Sequence, residues 1–131
     1  MKKKALIILL VVLIIVTIIS AKIVLDRRER KSKELFEMSL ITTFYDAIKS
    51  YQEGTKYIVR SNGKLCDTNI KMPSSNYNYY IKFNDEGKIS EYYFYSKKWL
   101  YKNDNINSDN LDQINIVKNT NNFEYDCPKN D

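Results

Sequence analysis

Residues 5–21 read ALIILLVVLIIVTIISA, seventeen positions without a charge, Gly, Pro, Asn or His, set directly behind Lys2, Lys3 and Lys4. At about 1.5 Å per residue a helix over this run covers roughly 25 Å. With Lys22 snorkelling outward, Ile23, Val24 and Leu25 extend it towards the roughly 30 Å of a hydrocarbon core. A run this uniform has no polar face for a small soluble domain to show to water. The stretch is therefore expected to be a membrane anchor, with Ala5, Leu10, Ile15 and Ala21 marking its length, and the lipid bilayer is the first partner implied. The competing reading is a cleaved signal peptide: the lysines form its basic region, and Ile19-Ser20-Ala21 is similar to a small-residue cleavage site. Against cleavage, no polar segment precedes Ala21, and apolar residues resume after Lys22.

Charge separates this end from the rest of the chain. Residues 1–33 hold nine Lys/Arg against two acids, a net of +7, and residues 34–131 hold twelve against fourteen, a net of −2. The pI of about 9.1 thus belongs to the anchor end, and the remainder lacks the concentrated positive face that nucleic acid requires. The basic stretch 27–33 reads as a solvated collar, or as a segment resting on anionic headgroups. Orientation indicators conflict. Lys/Arg counts are higher on the C-terminal flank (Lys22, Arg27, Arg28, Arg30, Lys31, Lys33), which by the positive-inside rule leaves the C-terminal part in the cytoplasm. The two cysteines favour the outside, and an extracellular C-terminal domain at the cell membrane is the orientation expected.

Beyond the anchor the period changes. Phe36, Leu40, Ile41, Phe44, Tyr45, Ile48 and Tyr51 recur at helical spacing, while Glu37, Asp46 and Lys49 fall elsewhere. Phe36, Leu40, Ile41, Phe44, Ile48 and Tyr51 are the residues expected to pack this helix on a sheet. Gly54 is a natural stop, and no Gly or Pro interrupts residues 5–53. One continuous helix of about 50 residues, near 70 Å long, is expected.

Strand signals follow. Tyr57-Ile58-Val59 precedes Asn62-Gly63, a tight-turn pair, and then Leu65-Cys66. Tyr77, Tyr79, Ile81 and Phe83 alternate with Asn78, Tyr80 and Lys82. Asn84 to Gly87 is turn chemistry, Ile89–Tyr95 is a second strand, Lys97-Lys98 sit at a bend, and Trp99-Leu100-Tyr101 open a third. The expectation is an antiparallel meander of three strands, four with residues 56–66, whose inward parity stays open; Ile81, Phe83 and Ile89 are the candidates to face the helix. An Asn-rich loop near 103–112 follows, then an edge strand at Ile114–Val117 and a short closing segment, Phe123–Cys127. The fold class expected is α+β: a long N-terminal helix, half membrane anchor and half amphipathic, packed on a small antiparallel meander. The domains are 1–25 anchor, 26–53 amphipathic helix and 54–131 β domain.

Chemistry is scarce. The chain has no His, three Gly and two Cys, so His-based catalysis, a P-loop and a Cys/His zinc site are not expected. A calcium loop opening at Asn103 would place Asn105 and Asn107 at ligand positions, but Ser108 stands where Gly is required and Ile114 where a bidentate Glu is required. No catalytic residue, cofactor, metal or small-molecule substrate is expected. Cys66 and Cys127 read as one disulfide in an exported domain, or as two buried thiols in a cytoplasmic one. The tyrosines (Tyr77, Tyr79, Tyr80, Tyr92, Tyr93, Tyr95, Tyr101) are either half core and half exposed sheet, or a contact surface.

The order of these pieces resembles a known family. The stretch RRERKSKELFEMSLITTFYDAIKSYQEGTKYIVRSNGKLC (27–66), followed by YYIKFNDEGKISEYYFYSKKWLYK (79–102), is similar to type IV pilin and type II secretion pseudopilin-like proteins of low-GC Gram-positive bacteria. The resemblance implies a structural or accessory subunit of a pilus or secretion filament, not an enzyme, whose apolar helix packs against other pilin-like subunits. The family's Gly before the processing site, the aromatic after it and the acid five positions on fall at Lys4, Ala5 and Leu9. Processing and methylation by a prepilin peptidase are therefore not expected, and the alternative is a single-pass anchored extracytoplasmic binding module with a tyrosine-rich sheet surface.

Overall fold

The computed structural model describes residues 2–66, 70–73, 75–106, 111 and 114–127. Part of the Asn-rich loop near 103–112, including Ser108 and Asn107, lies outside the described residues. The architecture is α+β: one helix, α1 (Lys2–Ser50), and a six-stranded sheet. The strands are β1 (Tyr57–Ser61), β2 (Lys64–Cys66), β3 (Asn78–Phe83), β4 (Ile89–Tyr95), β5 (Trp99–Asn103) and β6 (Val117–Lys118). Their order across the sheet is β2-β1-β3-β4-β5-β6, and every neighbouring pair is antiparallel.

By compactness the chain divides into two units, Met1–Glu34 and Leu35–Asp131. The sequence partition follows composition, at 25/26 and 53/54. The second compact unit instead takes in the last turns of α1, because Phe36, Leu40, Thr43, Phe44 and Ala47 are buried and have no separate existence from the strands that cover them. In the first unit every large apolar side chain from Leu6 to Leu25 is between 47% and 64% exposed. With its length and a single charge, Lys22, this segment is a candidate membrane span.

Within the second unit the turns follow their local chemistry. Asn62 (φ 52°) and Gly63 (φ 78°) form the two-residue connection between β1 and β2, with Ser61 opposite Lys64. Both positive φ values are what a hairpin of this length demands. At the β3–β4 turn the Asn84 side-chain carbonyl accepts from the amides of Glu86 (2.9 Å) and Lys88 (3.0 Å), and Gly87 takes φ 78°. Gly87 is doubly constrained, since a Cβ there would stand 2.8 Å from the ring of Tyr51. At the β4–β5 bend the Ser96 hydroxyl accepts from the amides of Lys98 and Trp99.

One local irregularity decides which side chains face the helix. Lys82 pairs with Glu91, but Phe83 pairs with Ile89, leaving Ser90 as the extra residue of a bulge. Ile89 therefore joins Tyr92 and Phe94 on the same face despite its opposite parity. The core cluster contains Phe36, Leu40, Phe44 and Ala47 from α1. Against them lie Ile58, Tyr79, Ile81, Phe83, Ile89, Tyr92, Phe94, Trp99 and Tyr101 from the strands. Ile70, from the connection that leaves β2 and returns beside β1, is buried in the same cluster.

The return to the sheet edge is shorter than the sequence suggests. Residues 114–116 do not form a strand. Pairing starts at Val117 and ends at Lys118, opposite Leu100 and Trp99. Ile116 instead turns into the core, which takes its backbone out of the ladder. Phe123–Cys127 likewise form no strand.

Candidate functional site

The helix–sheet join is built from large rings and one hydrogen bond. Phe36 meets Phe94 (4.9 Å between ring centroids) and Tyr77 (5.3 Å), both edge-on. Phe44 lies 5.7 Å from Tyr92. The Tyr92 hydroxyl donates to the Leu40 carbonyl at 2.7 Å, fully buried, so the phenol that reaches α1 has its polar end satisfied. Of the expected packing residues, Phe36, Leu40 and Phe44 are completely covered, Ile41 and Tyr51 pack at the edge of the cluster, and Ile48 is 39% exposed. Thr43 and Ala47 are buried on this face without having been signalled by an apolar stripe.

The opposite face of the sheet carries a second, smaller core of Val59, Cys66 and Tyr80, with Tyr93 and Tyr125 packed against it. Residues 119–127 lie over it. Asn119, buried among these residues, uses its side chain fully. Its amide nitrogen donates to the carbonyls of Ser96 (2.8 Å) and Phe123 (3.2 Å), and its amide oxygen accepts from the Phe123 amide (2.7 Å). The Tyr95 hydroxyl lies 3.2 Å from the Tyr125 carbonyl, to which it donates, and accepts from the Tyr125 amide at 3.0 Å. The Tyr125 ring packs on Tyr80 in a tilted arrangement, with ring centroids 4.2 Å apart. Lys102 places its ammonium 4.8 Å from the Phe123 ring and 5.3 Å from the Tyr93 ring, and the Tyr93 hydroxyl donates to Asp104. Cys66 and Cys127 form a disulfide with Cα atoms 5.5 Å apart, which holds the far end of this cover to β2. Asn119 gave no sequence signal, because nothing distinguishes it from its many Asn neighbours.

Burial dominates the electrostatics of the tyrosines. Desolvation pushes the Tyr79 phenol up to about 12, with Arg60 opposing and Asp46 reinforcing the shift. Tyr80, Tyr92, Tyr93, Tyr95 and Tyr101 are raised too, each chiefly by burial. Unfolded phenols lose their protons near pH 10, while folded Tyr79 keeps its proton to about pH 12. This contribution to stability is thus complete below pH 10 and declines as pH rises through the 10–12 window. Denaturant midpoints taken alongside phenolate absorbance are expected to fall across that window, with absorbance growing as the fold is lost. A midpoint that stays level to pH 12 would contradict the buried phenols.

Among the described residues no group of three or more His, Cys, Asp or Glu side chains is placed to hold a metal ion. An open groove of about 470 Å³ is lined by Met38, Thr42 and Asp46 of α1 and by Met72, Asn76 and Tyr77, among others, with Asp46 the one charged group among the described residues that line it. The Tyr79 hydroxyl and Arg60 Nε are buried without a hydrogen-bond partner among the described residues. No protein-family model, curated protein or solved structure matches the chain.

Proposed function

We propose that this chain is a membrane-anchored, pilin-like structural or accessory subunit of a type IV pilus or secretion filament system. Residues 5–25 sit in the cell membrane and the sheet domain lies outside the cell. The observation that carries the reading is that α1 bears both an uncovered apolar run and, further along, a face of Phe36, Leu40 and Phe44 buried against an antiparallel sheet. The Cys66–Cys127 disulfide supports the outer location, since such bonds persist in oxidising compartments. The role is structural rather than catalytic, and the partners are the bilayer and other apolar-helix subunits.

A second reading, an anchored extracytoplasmic binding module that never enters a filament, draws on Lys4, Ala5 and Leu9 standing where a pilin processing signal and acid would be. Its tyrosine-rich surface is small, because Tyr80 and Tyr95 are 5% and 2% exposed under the C-terminal cover.

The test separates the two. Photo-cross-linking groups placed at Leu10 and Ile15 of the full chain in its native membranes should yield adducts with other small apolar-helix proteins or with a second copy. Only lipid adducts would leave the binding module. The same membranes should retain the chain through an alkaline carbonate wash, with an uncut N-terminus and with cysteines that react only after reduction. An N-terminus at Ala5 or Lys22 would overturn the retained anchor. Freely reactive thiols in intact cells would place the domain in the cytoplasm. A secretion ATPase, a polytopic platform protein and a prepilin peptidase encoded beside this gene would favour the filament reading.

A further inference from the structure

The basic residues that follow the apolar run are unevenly distributed around the helix. At about 100° per residue, Arg27, Arg28 and Lys31 fall within about 100° of arc, and all three are exposed. The acids of this segment, Asp26, Glu29 and Glu34, fall outside that arc. Asp26 and Glu34 each stand four residues from Arg30, and Glu29 four residues from Lys33, the spacing at which helical ion pairs form. Arg27 and Arg28 have no acid three or four residues away on either side, and Lys31 has only Glu34, already spaced to meet Arg30. One arc therefore holds three cations of which two have no counter-charge within helical reach.

Depth matches charge. Arg27 to Lys31 lie two to six residues past Leu25, about 3–9 Å further along the axis. A bilayer 40–45 Å thick around a roughly 30 Å core leaves about 5–7 Å of headgroup on each side. Wherever the apolar run fills the core, Arg27 and Arg28, about 3 and 4.5 Å past Leu25, thus stand within the headgroup layer, and Lys31, about 9 Å past it, reaches back to that layer along its flexible stem. Guanidinium groups suit this layer, since each offers a planar fork to two phosphate oxygens.

We propose that Arg27, Arg28 and Lys31 form a binding face for anionic lipid headgroups, which sets the depth and rotation of the anchor. The inference rests on the membrane reading given above. The chain gathers anionic lipid around one side of its helix, while Arg30 and Lys33, shared with acids, contribute less.

The test uses the full chain reconstituted into mixed phosphatidylcholine and phosphatidylglycerol vesicles, with spin-labelled forms of each lipid reporting which contacts the protein. One fully engaged basic residue near a membrane surface is worth about fivefold in association. Phosphatidylglycerol is accordingly expected to be enriched about threefold or more over phosphatidylcholine in the contact shell. The enrichment should fall towards unity in the Arg27→Gln/Arg28→Gln/Lys31→Gln variant. It should do the same at about 0.5 M salt, where screening acts over a few ångströms. A variant with the same charge change at exposed sheet-domain positions, Lys56→Gln/Lys88→Gln/Lys97→Gln, should keep the enrichment. No preference in the wild-type chain, or an undiminished one in the Arg27/Arg28/Lys31 variant, would overturn the proposal. A chain that washes off both vesicle types in alkaline carbonate would instead remove the membrane reading beneath it.

Discussion

Phe44→Ala is expected to cost the fragment 27–131 about 3–5 kcal/mol, the usual penalty for emptying a fully buried phenylalanine site. Phe44 is completely covered and lies against the ring of Tyr92, whose hydroxyl ties β4 to the Leu40 carbonyl. A domain of about a hundred residues has some 5–15 kcal/mol in total, so the variant should be marginally folded or unfolded at room temperature. Lys49→Ala, at an exposed position one turn further on, should move the melting midpoint little, within about 0.5 kcal/mol. Near-ultraviolet circular dichroism during a thermal melt distinguishes the two. Small and equal losses would mean that α1 does not hold the sheet, and the proposed pilin-like reading would go with it.

Removing the disulfide is expected to cost about as much. A bond closing a separation of 61 residues stabilises by about 4 kcal/mol if its effect is mainly to restrict the unfolded chain. The double variant Cys66→Ser/Cys127→Ser should lose this amount in denaturant midpoint. Its amides at 119–127 should exchange with solvent before those of β3 and β4, because the cover over Tyr80 is held at its end by the bond and otherwise by Asn119 and Tyr95. An unchanged midpoint, with exchange uniform across the domain, would show that the cover docks without its covalent tie.

How far the sequence discloses this structure depends on periodicity. Phe36, Leu40 and Phe44 were readable because spacings of four keep side chains on one face. The stripe then drifts: Ile48 and Tyr45 sit off the buried arc, while Thr43 and Ala47, neither large nor strongly apolar, occupy it. Alternation revealed β3, and Asn62-Gly63 revealed the first hairpin, since few residues tolerate positive φ. The inward parity of β4 was hidden, because the bulge at Ser90 shifts the count by one residue within a strand of mixed apolar and polar character. The cover on the outer face was hidden for a different reason. Its hold rests on side-chain-to-backbone bonds of Asn119 and Tyr95, which depend on residues 23 to 30 positions apart and leave no local pattern. The cysteines alone pointed to it.

The Cys66–Cys127 link also has a mechanical consequence. Tension entering the chain beyond Cys127 crosses directly to Cys66 and passes through β2 and β1 towards α1, so β3, β4, β5 and β6 stand outside the load path. The closed loop withholds about 200 Å of contour length, at roughly 3.3–3.6 Å per residue over the 61-residue separation. Pulled from its C-terminal side, the domain would keep the length of chain between Cys66 and Cys127 out of its extension until the bond itself is reduced.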